Sequence, residues 1–153
     1  MQQETKQRYH VLARGVFLSG DHLLVAHCIG MDNTFLPGGH VEFHEGIRAT
    51  LAREIQEELG LASTVKQYLG AVEAEHEEEG VYNQEINHLF IAELEGVDHT
   101  DNPPSQEKHL EFYWIPVSGM EEHNVLPEPV RKVIRKYIHQ VDGPYFESTF
   151  LGE

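Results

Sequence analysis

The clearest helical pattern of the chain lies in GGHVEFHEGIRATLAREIQEELGL, residues 38–61. It predicts a helix over Ile47–Leu59, because apolar residues recur there at the spacing of one helical face. Gly60 is well placed to end this helix, since glycine readily adopts the left-handed conformation of a helix C-terminus. The predicted apolar face consists of Leu51, Ala52, Ile55 and Leu59.

A second face of the predicted helix gathers three carboxylates. With 3.6 residues per turn, Glu58 lies about 40° to one side of Glu54, and Glu57 about 60° to the other. The apolar stripe is centred roughly 120° away, so one face can enter the core while its neighbour presents the acids. Repulsion among them is relieved if a divalent cation lies between them, and oxygen-only ligands favour Mg²⁺ or Mn²⁺. The helix alone leaves a solvated, acid-rich surface as the alternative.

Two glycines before the helix favour the cation. Gly38 and Gly39 follow Pro37 and predict a tight turn without side chains. Such a turn can offer a backbone carbonyl to a metal or let a phosphate approach the main chain. The turn is not a Walker A loop, because no Gly-Lys-Ser/Thr follows it.

This stretch resembles the signature of the Nudix hydrolases. That signature is a glycine, five residues, a glutamate, seven residues, Arg-Glu, an aliphatic residue, any residue, Glu-Glu, any residue, a glycine and an aliphatic residue. The resemblance implies an α+β fold, an α/β/α sandwich with a mixed sheet between helices. It also implies Mg²⁺- or Mn²⁺-dependent hydrolysis of a nucleoside diphosphate linked to another group, or of a related phosphoanhydride. The matching positions are Gly39, Glu45, Arg53, Glu54, Ile55, Glu57, Glu58, Gly60 and Leu61.

The resemblance also assigns roles to the motif residues. Glu57 and Glu58 are expected to bind the metal, and Glu54 is expected to be a ligand or the base that deprotonates the attacking water. Gly38 is expected to offer its carbonyl to the metal, and with Gly39 to let the substrate approach the main chain. Arg53 is expected to orient a glutamate.

The remaining roles are less specific. Glu45 is expected to support the motif structurally. Many Nudix enzymes use a further glutamate beyond the motif as ligand or base. Glu107, in a predicted loop, and Glu111, early in a predicted strand, are the candidates.

Aromatic side chains and histidines outside the motif are candidates for binding the substrate or a second metal. Phe35 could stack on a nucleobase, as could Tyr82, whereas Trp114 on a strand is expected to pack in the core. His40 alternates with Glu42 and His44, so on a strand the three would share a face. Zinc is one reading of that run, but no fourth ligand is evident nearby, and substrate contact by His40 or plain exposure is favoured.

The rest of the chain predicts alternating strands, loops and one more helix. Residues 29–34 and 101–105 are predicted loops, and a hairpin is predicted through residues 79–83. The tail, residues 141–153, is aromatic without a firm pattern and is expected to fold back or to dock on a second subunit. The predicted strands span 9–18, 23–28, 40–44, 64–75, 86–94 and 110–117, and the second helix spans 128–139.

Length, charge and composition narrow the class of protein. The chain has 153 residues, which suits a single domain over 1–153, with the tail peripheral. Its formal net charge of −15 argues against extended nucleic-acid binding, which needs a basic surface. No apolar run approaches the ~18 residues of a membrane span, and the polar N-terminus is unlike a signal peptide. The lone Cys28 fits a reducing cytoplasm.

Three functions are therefore weighed. The leading one is a cytoplasmic, metal-dependent phosphoanhydride hydrolase acting on a small nucleotide-type substrate, for which family likeness makes a homodimer one arrangement to test. The second is a Nudix-fold sensor that binds a nucleotide metabolite without cleaving it. The third is an RNA 5′-pyrophosphohydrolase, for which the net charge disfavours a long RNA contact.

Overall fold

The structure of the protein is a computed structural model that describes residues 6–151. Its two α-helices are α1 (Ile47–Leu59) and α2 (Pro129–Ile138), and 3₁₀ turns form at Val117–Gly119 and Thr149–Leu151. No helix within this range is long and apolar enough to cross a membrane. The strands are β1 (Lys6–Ser19), β2 (His22–Cys28), β3 (Thr34–Phe35), β4 (Gly38–His40), β5 (Ser63–Glu78), β6 (Val81–Leu94), β7 (Leu110–Pro116), β8 (Val125–Leu126) and β9 (Tyr145–Ser148).

The strands form one mixed sheet between the two helices. Its hydrogen-bonded order is β8-β3-β2-β1-β6-β5-β9, with β4 added to β1 and β7 added to β2. β1 runs parallel to β6, whereas β5 and β6 form an antiparallel pair. Successive residues of β1 enter different cores: Val16 packs with the α2 side and Phe17 with the α1 side. Because neighbouring strand residues point to opposite faces, the helices cover opposite faces of the sheet, as the predicted α/β/α sandwich requires.

The predicted helix of the motif is confirmed at both ends. α1 spans Ile47–Leu59, and Gly60 ends it in the left-handed conformation, with φ of 72° and an N–H bond to the Gln56 carbonyl. Burial on the α1 side is worth about 1.5–3 kcal/mol for each large aliphatic side chain. The fully buried apolar residues of the helix are Leu51, Ile55 and Leu59.

The glycine pair is the place where the sequence prediction was wrong. Gly38 and Gly39 form no turn; they belong to β4, which pairs with β1 at Ala13 and Arg14. Gly38 has φ of 140°, and a Cβ built on it would lie 2.0 Å from the Ala13 carbonyl oxygen. A glycine is therefore required by the close approach of two strands, which depends on a partner far away in sequence.

The strand predicted over 40–44 was also wrong beyond its first residue. β4 ends at His40, a turn follows at Phe43 and His44, and His44 has a positive φ of 66°. His40, Glu42 and His44 thus do not line up along one strand face.

The hairpin between β5 and β6 is tighter than predicted. Only Glu79 and Gly80 form its turn, both with positive φ, and residues 81–83 belong to β6. Two-residue turns with positive φ match the twist of the flanking strands, which explains why both strands run longer than their apolar patterns indicated.

The tail, as far as residue 151, folds back on this chain. β9 runs parallel to β5, pairing Gly70 with Tyr145. Glu147, 8% exposed, forms an ion pair of 3.3 Å with Lys132 of α2. This pairing was not predicted, because parallel partners distant in sequence leave no local pattern.

We expect Gly38→Ala to lower the free energy of unfolding by about 2 kcal/mol or more, because it adds backbone strain to a main-chain clash. Gly30→Ala is the matched control: Gly30 also has positive φ, but a Cβ there would meet nothing within 4 Å. Denaturant unfolding of both variants checks the comparison. Equal losses would show that β4 and β1 can move apart at no cost.

Candidate active site

The motif glutamates of α1 lie against β4. A Cβ on Gly39 would lie 2.4 Å from the Glu54 carboxyl carbon, so this carboxylate occupies the space that a side chain at 39 would need. The main chain of Gly38 lies near the Glu58 carboxyl group and acts to lower its pKa. The two glycines therefore let the helix bring its acids onto the main chain of the strand.

Arg53 joins the glutamates into one network. Its Nε and Nη2 donate to both carboxylate oxygens of Glu45, at 2.7 and 3.0 Å. Its Nη1 donates to Glu54 at 2.9 Å and to Glu57 at 3.2 Å, and Nη2 also donates to the His40 carbonyl at 3.1 Å. Two parallel bonds to one carboxylate fix the guanidinium plane, so Arg53 can fix the positions of the other two acids.

Glu45 anchors this network from the start of the helix. The Arg53 guanidinium, and next the Thr50 hydroxyl, lower the pKa of Glu45 to about 2. The hydroxyl of Thr50, which is buried, donates to Glu45 at 2.7 Å. Glu45 is therefore ionised at neutral pH and held by two groups of α1.

Glu58 is in a different environment. Burial, followed by the charge of Glu54, raises the pKa of Glu58 to about 8, while Arg14 opposes the shift. Its Oε2 atom is buried and has no hydrogen-bond partner among the described residues. A buried carboxylate oxygen without a donor is costly, and a cation beside it would relieve that cost.

The acids are not gathered into a complete set of ligands. Across residues 6–151, no three His, Cys, Asp or Glu side chains are already arranged to hold a metal ion. Glu54 and Glu58 lie together, whereas Glu57 is 57% exposed and turned toward Arg53. The unpartnered oxygen of Glu58 and the neighbouring carboxylate still suit a hard divalent cation, which prefers oxygen ligands.

Arg14 is a site residue that the sequence analysis missed. It lies on β1, donates to the Leu36 carbonyl at 3.2 Å, and places its guanidinium 5.5 Å from the centre of the Phe35 ring. Burial lowers the pKa of Arg14, and the charges of Glu58, Glu85 and Glu54 counteract this. A lone arginine within the apolar run VLARGVFL was the available signal, because a buried charge in a strand needs partners.

A cavity of about 530 Å³ opens beside Arg14. Phe35 and Asn87 of β6 line it, and contact of Phe35 with substrate stays a prediction. The other aromatic candidates differ: Trp114 packs on the α1-side core and donates to the Asp101 carbonyl, and Tyr82 donates to Glu75.

His40 lies at the edge of the site. Its Nε2 is 2.9 Å from Nδ1 of His10, whose Nε2 is 2.8 Å from the Asn83 amide oxygen. Burial, then the charge of His10, lowers the pKa of His40. Although His40 is exposed, its hydrogen bond with His10 orients the imidazole. Its contact with substrate stays a prediction.

The two glutamates considered beyond the motif lie in different places. Glu107 is exposed, and the preceding residue, Gln106, donates its N–H to the Glu58 carbonyl at 2.7 Å. Glu111 is hydrogen-bonded to His27 at 2.8 Å. Its neighbours on β7, which are Leu110 and Phe112, pack with α1, so Glu111 points to the opposite face of the sheet. The hydrogen-bond partner of Glu111 is therefore His27 and not a motif residue, and its role as base stays a prediction.

We expect the free energy of unfolding of the metal-free protein to fall as the pH drops from about 4.5 to about 2, because Glu45, with its lowered pKa, stabilises the fold only when ionised. Glu45→Gln should be less stable at neutral pH and should lose part of this dependence. Glu95→Gln, at an exposed position outside the site, is the control. Unfolding by denaturant across this pH range measures the effect, and identical pH profiles for Glu45→Gln and wild type would contradict it.

Comparisons with known proteins place the fold. The Nudix hydrolase from Nitrosomonas europaea superposes with a TM-score of 0.70 at 17% identity, covering 87% of this chain and 90% of that one. The MutT protein from Methanosarcina mazei Go1 gives 0.64 at 18% identity, covering 93% and 100%. A UDP-X diphosphatase gives 0.67 at 15% identity, covering 95% and 69%. At such identities the likeness establishes the fold alone.

Comparison with family models identifies the family. No curated protein sequence matches the chain significantly. The model of the NUDIX domain matches residues 9–141, which is most of the chain and includes the whole motif. The chain therefore belongs to the Nudix family of phosphoanhydride hydrolases, as the motif predicted.

Proposed function

We propose that this protein is a metal-dependent hydrolase that cleaves the phosphoanhydride bond of a nucleoside diphosphate derivative by attack of water at phosphorus. The observation that carries the proposal is the network of Arg53 with Glu45, Glu54 and Glu57 beside the buried, unpartnered oxygen of Glu58. It places the carboxylates that Arg53 bonds beside a buried carboxyl oxygen that lacks a partner. That combination suits cation binding better than structural support.

The donor set fits Mg²⁺ or Mn²⁺. Glu58 and Glu54 would hold the ion with the main chain of Gly38, and Glu57 would join them by turning from Arg53. When bound, such an ion neutralises the charge of the pyrophosphate and makes water a stronger nucleophile.

The residues of the chain supply position and a base. Arg53 keeps Glu54 oriented after Glu57 has turned to the ion, and Glu45 prevents Arg53 from moving toward the substrate phosphates. Glu54 takes the proton of the attacking water. Of the three glutamates considered as the base, Glu54 is the one that lies in the Arg53 network.

Arg14 supplies positive charge next to the motif acids. It is half-buried and lines the cavity, so it can neutralise one phosphate oxygen. A fixed cation in a partly buried site stabilises charge that develops in the transition state.

The rival functions receive no specific support. A sensor without catalysis would be favoured by a missing acid, and every acid of the motif is present. RNA binding would be favoured by a basic approach to the site, whereas Glu75, Glu77 and Glu78 border the cavity. The cytoplasmic location and the homodimer stay predictions.

We expect Glu54→Gln and Glu57→Gln to lower kcat at least about a hundredfold, because each removes a carboxylate that acts as base or as ligand. A panel of nucleotide derivatives, assayed with Mg²⁺ and with Mn²⁺ for nucleotide release, provides the measurement. Chelation should abolish turnover, and added metal should restore it.

Glu93→Gln is the matched control, because Glu93 forms a surface ion pair with Lys66 away from the motif. It should turn over substrate like the wild type. Wild-type rates in Glu54→Gln and Glu57→Gln would refute the assigned roles, and the absence of turnover by the wild type with either metal would refute the reaction.

A further inference from the structure

The cavity beside Arg14 has an unusual charge for a protein that acts on anions. Arg14 is the only lysine or arginine among the residues that line it. The acids leave room for phosphate only next to Arg14, because like charges would repel it elsewhere. Five glutamates line the remainder: Glu75, Glu77, Glu78, Glu85 and Glu128.

A buried amide in the same cavity lacks a partner. Asn87 is 1% exposed, and its Nδ2 donates to the Val72 carbonyl at 3.2 Å. Turning the amide over would set two oxygens against each other, so the Val72 carbonyl fixes which end is oxygen. Oδ1 then has no donor among the described residues. Buried acceptors are almost always satisfied in native proteins, and this one lies where a ligand can supply the donor.

Arg14 connects this cavity to the motif. Arg14 pairs with Gly38 across β1 and β4, next to Gly39, which contacts the Glu54 carboxylate, and the Arg14 residue also lines the cavity. A pyrophosphate held at the motif would therefore have its neighbouring group directed past Arg14 and Phe35 toward Asn87.

We propose that the cavity binds the group joined to the pyrophosphate and selects one that presents hydrogen-bond donors. Sugar hydroxyls or an amino group would donate to Asn87 Oδ1 and to the Glu85 carboxylate, whereas a further phosphate would be repelled. This inference rests on the proposed function and narrows its substrate class to nucleoside diphosphate derivatives with a donor-rich, uncharged or cationic group.

The test compares esters of one nucleoside diphosphate with a hexose, with 2-aminoethanol and with ethanol, alongside the nucleoside triphosphate. We expect wild-type kcat/KM for the hexose or amino ester to exceed that for the ethyl ester at least about tenfold, the effect of one hydrogen bond to a buried acceptor. The triphosphate should be the poorest substrate. The hexose and amino esters distinguish the two sources of donors.

Asn87→Leu should lower the preference over the ethyl ester about tenfold and leave the ethyl ester within about threefold of wild type. Its thermal midpoint without substrate should fall, because the bond from Nδ2 to the Val72 carbonyl is lost, so the preference among the esters is compared on protein that is shown to be folded. Asn87→Ser provides a second variant if the leucine prevents folding. Asn102→Leu is the control for the loss of an amide, since Asn102 accepts from the Trp114 N–H and is not among the residues that line the cavity, and it should keep the wild-type preference.

Calorimetric binding of the same esters, which needs no turnover, separates the two claims. Binding with the expected preference but without cleavage would refute the proposed function and support this inference. Cleavage with no preference for donors, or with the same preference in Asn87→Leu, would overturn the inference alone. Absence of both binding and cleavage would overturn both.

Discussion

The ion pair between Arg53 and Glu45 is the interaction on which the rest of the site depends. Three glutamates on one helical face repel one another, and an isolated helix would turn them apart into water. Here one guanidinium is fixed by Glu45 and then bonds Glu54 and Glu57. Because the pKa of Glu45 is lowered to about 2, the anchor keeps its charge at any pH at which the enzyme would work.

The second constraint is the approach of α1 to a strand without side chains. Gly38 lets β4 approach β1, and Gly39 leaves space for the Glu54 carboxylate. Glu58 is thereby buried, and its pKa rises to about 8. The packing that stabilises the sandwich thus also buries the neighbouring carboxyl groups of Glu54 and Glu58, at which we propose that the metal binds. Arg14, which lies on β1, is placed between the Glu54–Glu58 pair and the cavity.

The sequence predicted what local patterns encode. The apolar spacing in residues 47–59 and the glycine at 60 determine α1 and its end, and runs of β-branched residues locate the long strands. The sequence prediction failed where a strand pairs with a segment that is distant in sequence. Gly38 and Gly39 were predicted to form a turn, because their partner strand β1 lies more than twenty residues earlier. For the same reason the pairing of β9 with β5 was not predicted.

Only part of the candidate site could be predicted from the sequence. The motif acids follow from spacing on one helix. The face of Glu111 could have been deduced from its apolar neighbours, because alternate residues of a strand point to opposite sides. Arg14 and Asn87 could not be placed, since their meaning depends on cavities formed by several strands. Local sequence patterns therefore do not predict which side chains line the same cavity.

The most direct test of whether Glu54 and Glu58 bind a divalent cation is to titrate metal-free protein with Mn²⁺. Electron paramagnetic resonance follows the binding while the released protons are counted. We predict saturable binding that releases protons near neutral pH, because Glu58 must lose its proton to bind the ion. Glu58→Gln should weaken binding and abolish the release. Equal binding by wild type and Glu58→Gln, or no binding by either, would contradict the proposed metal site at Glu58.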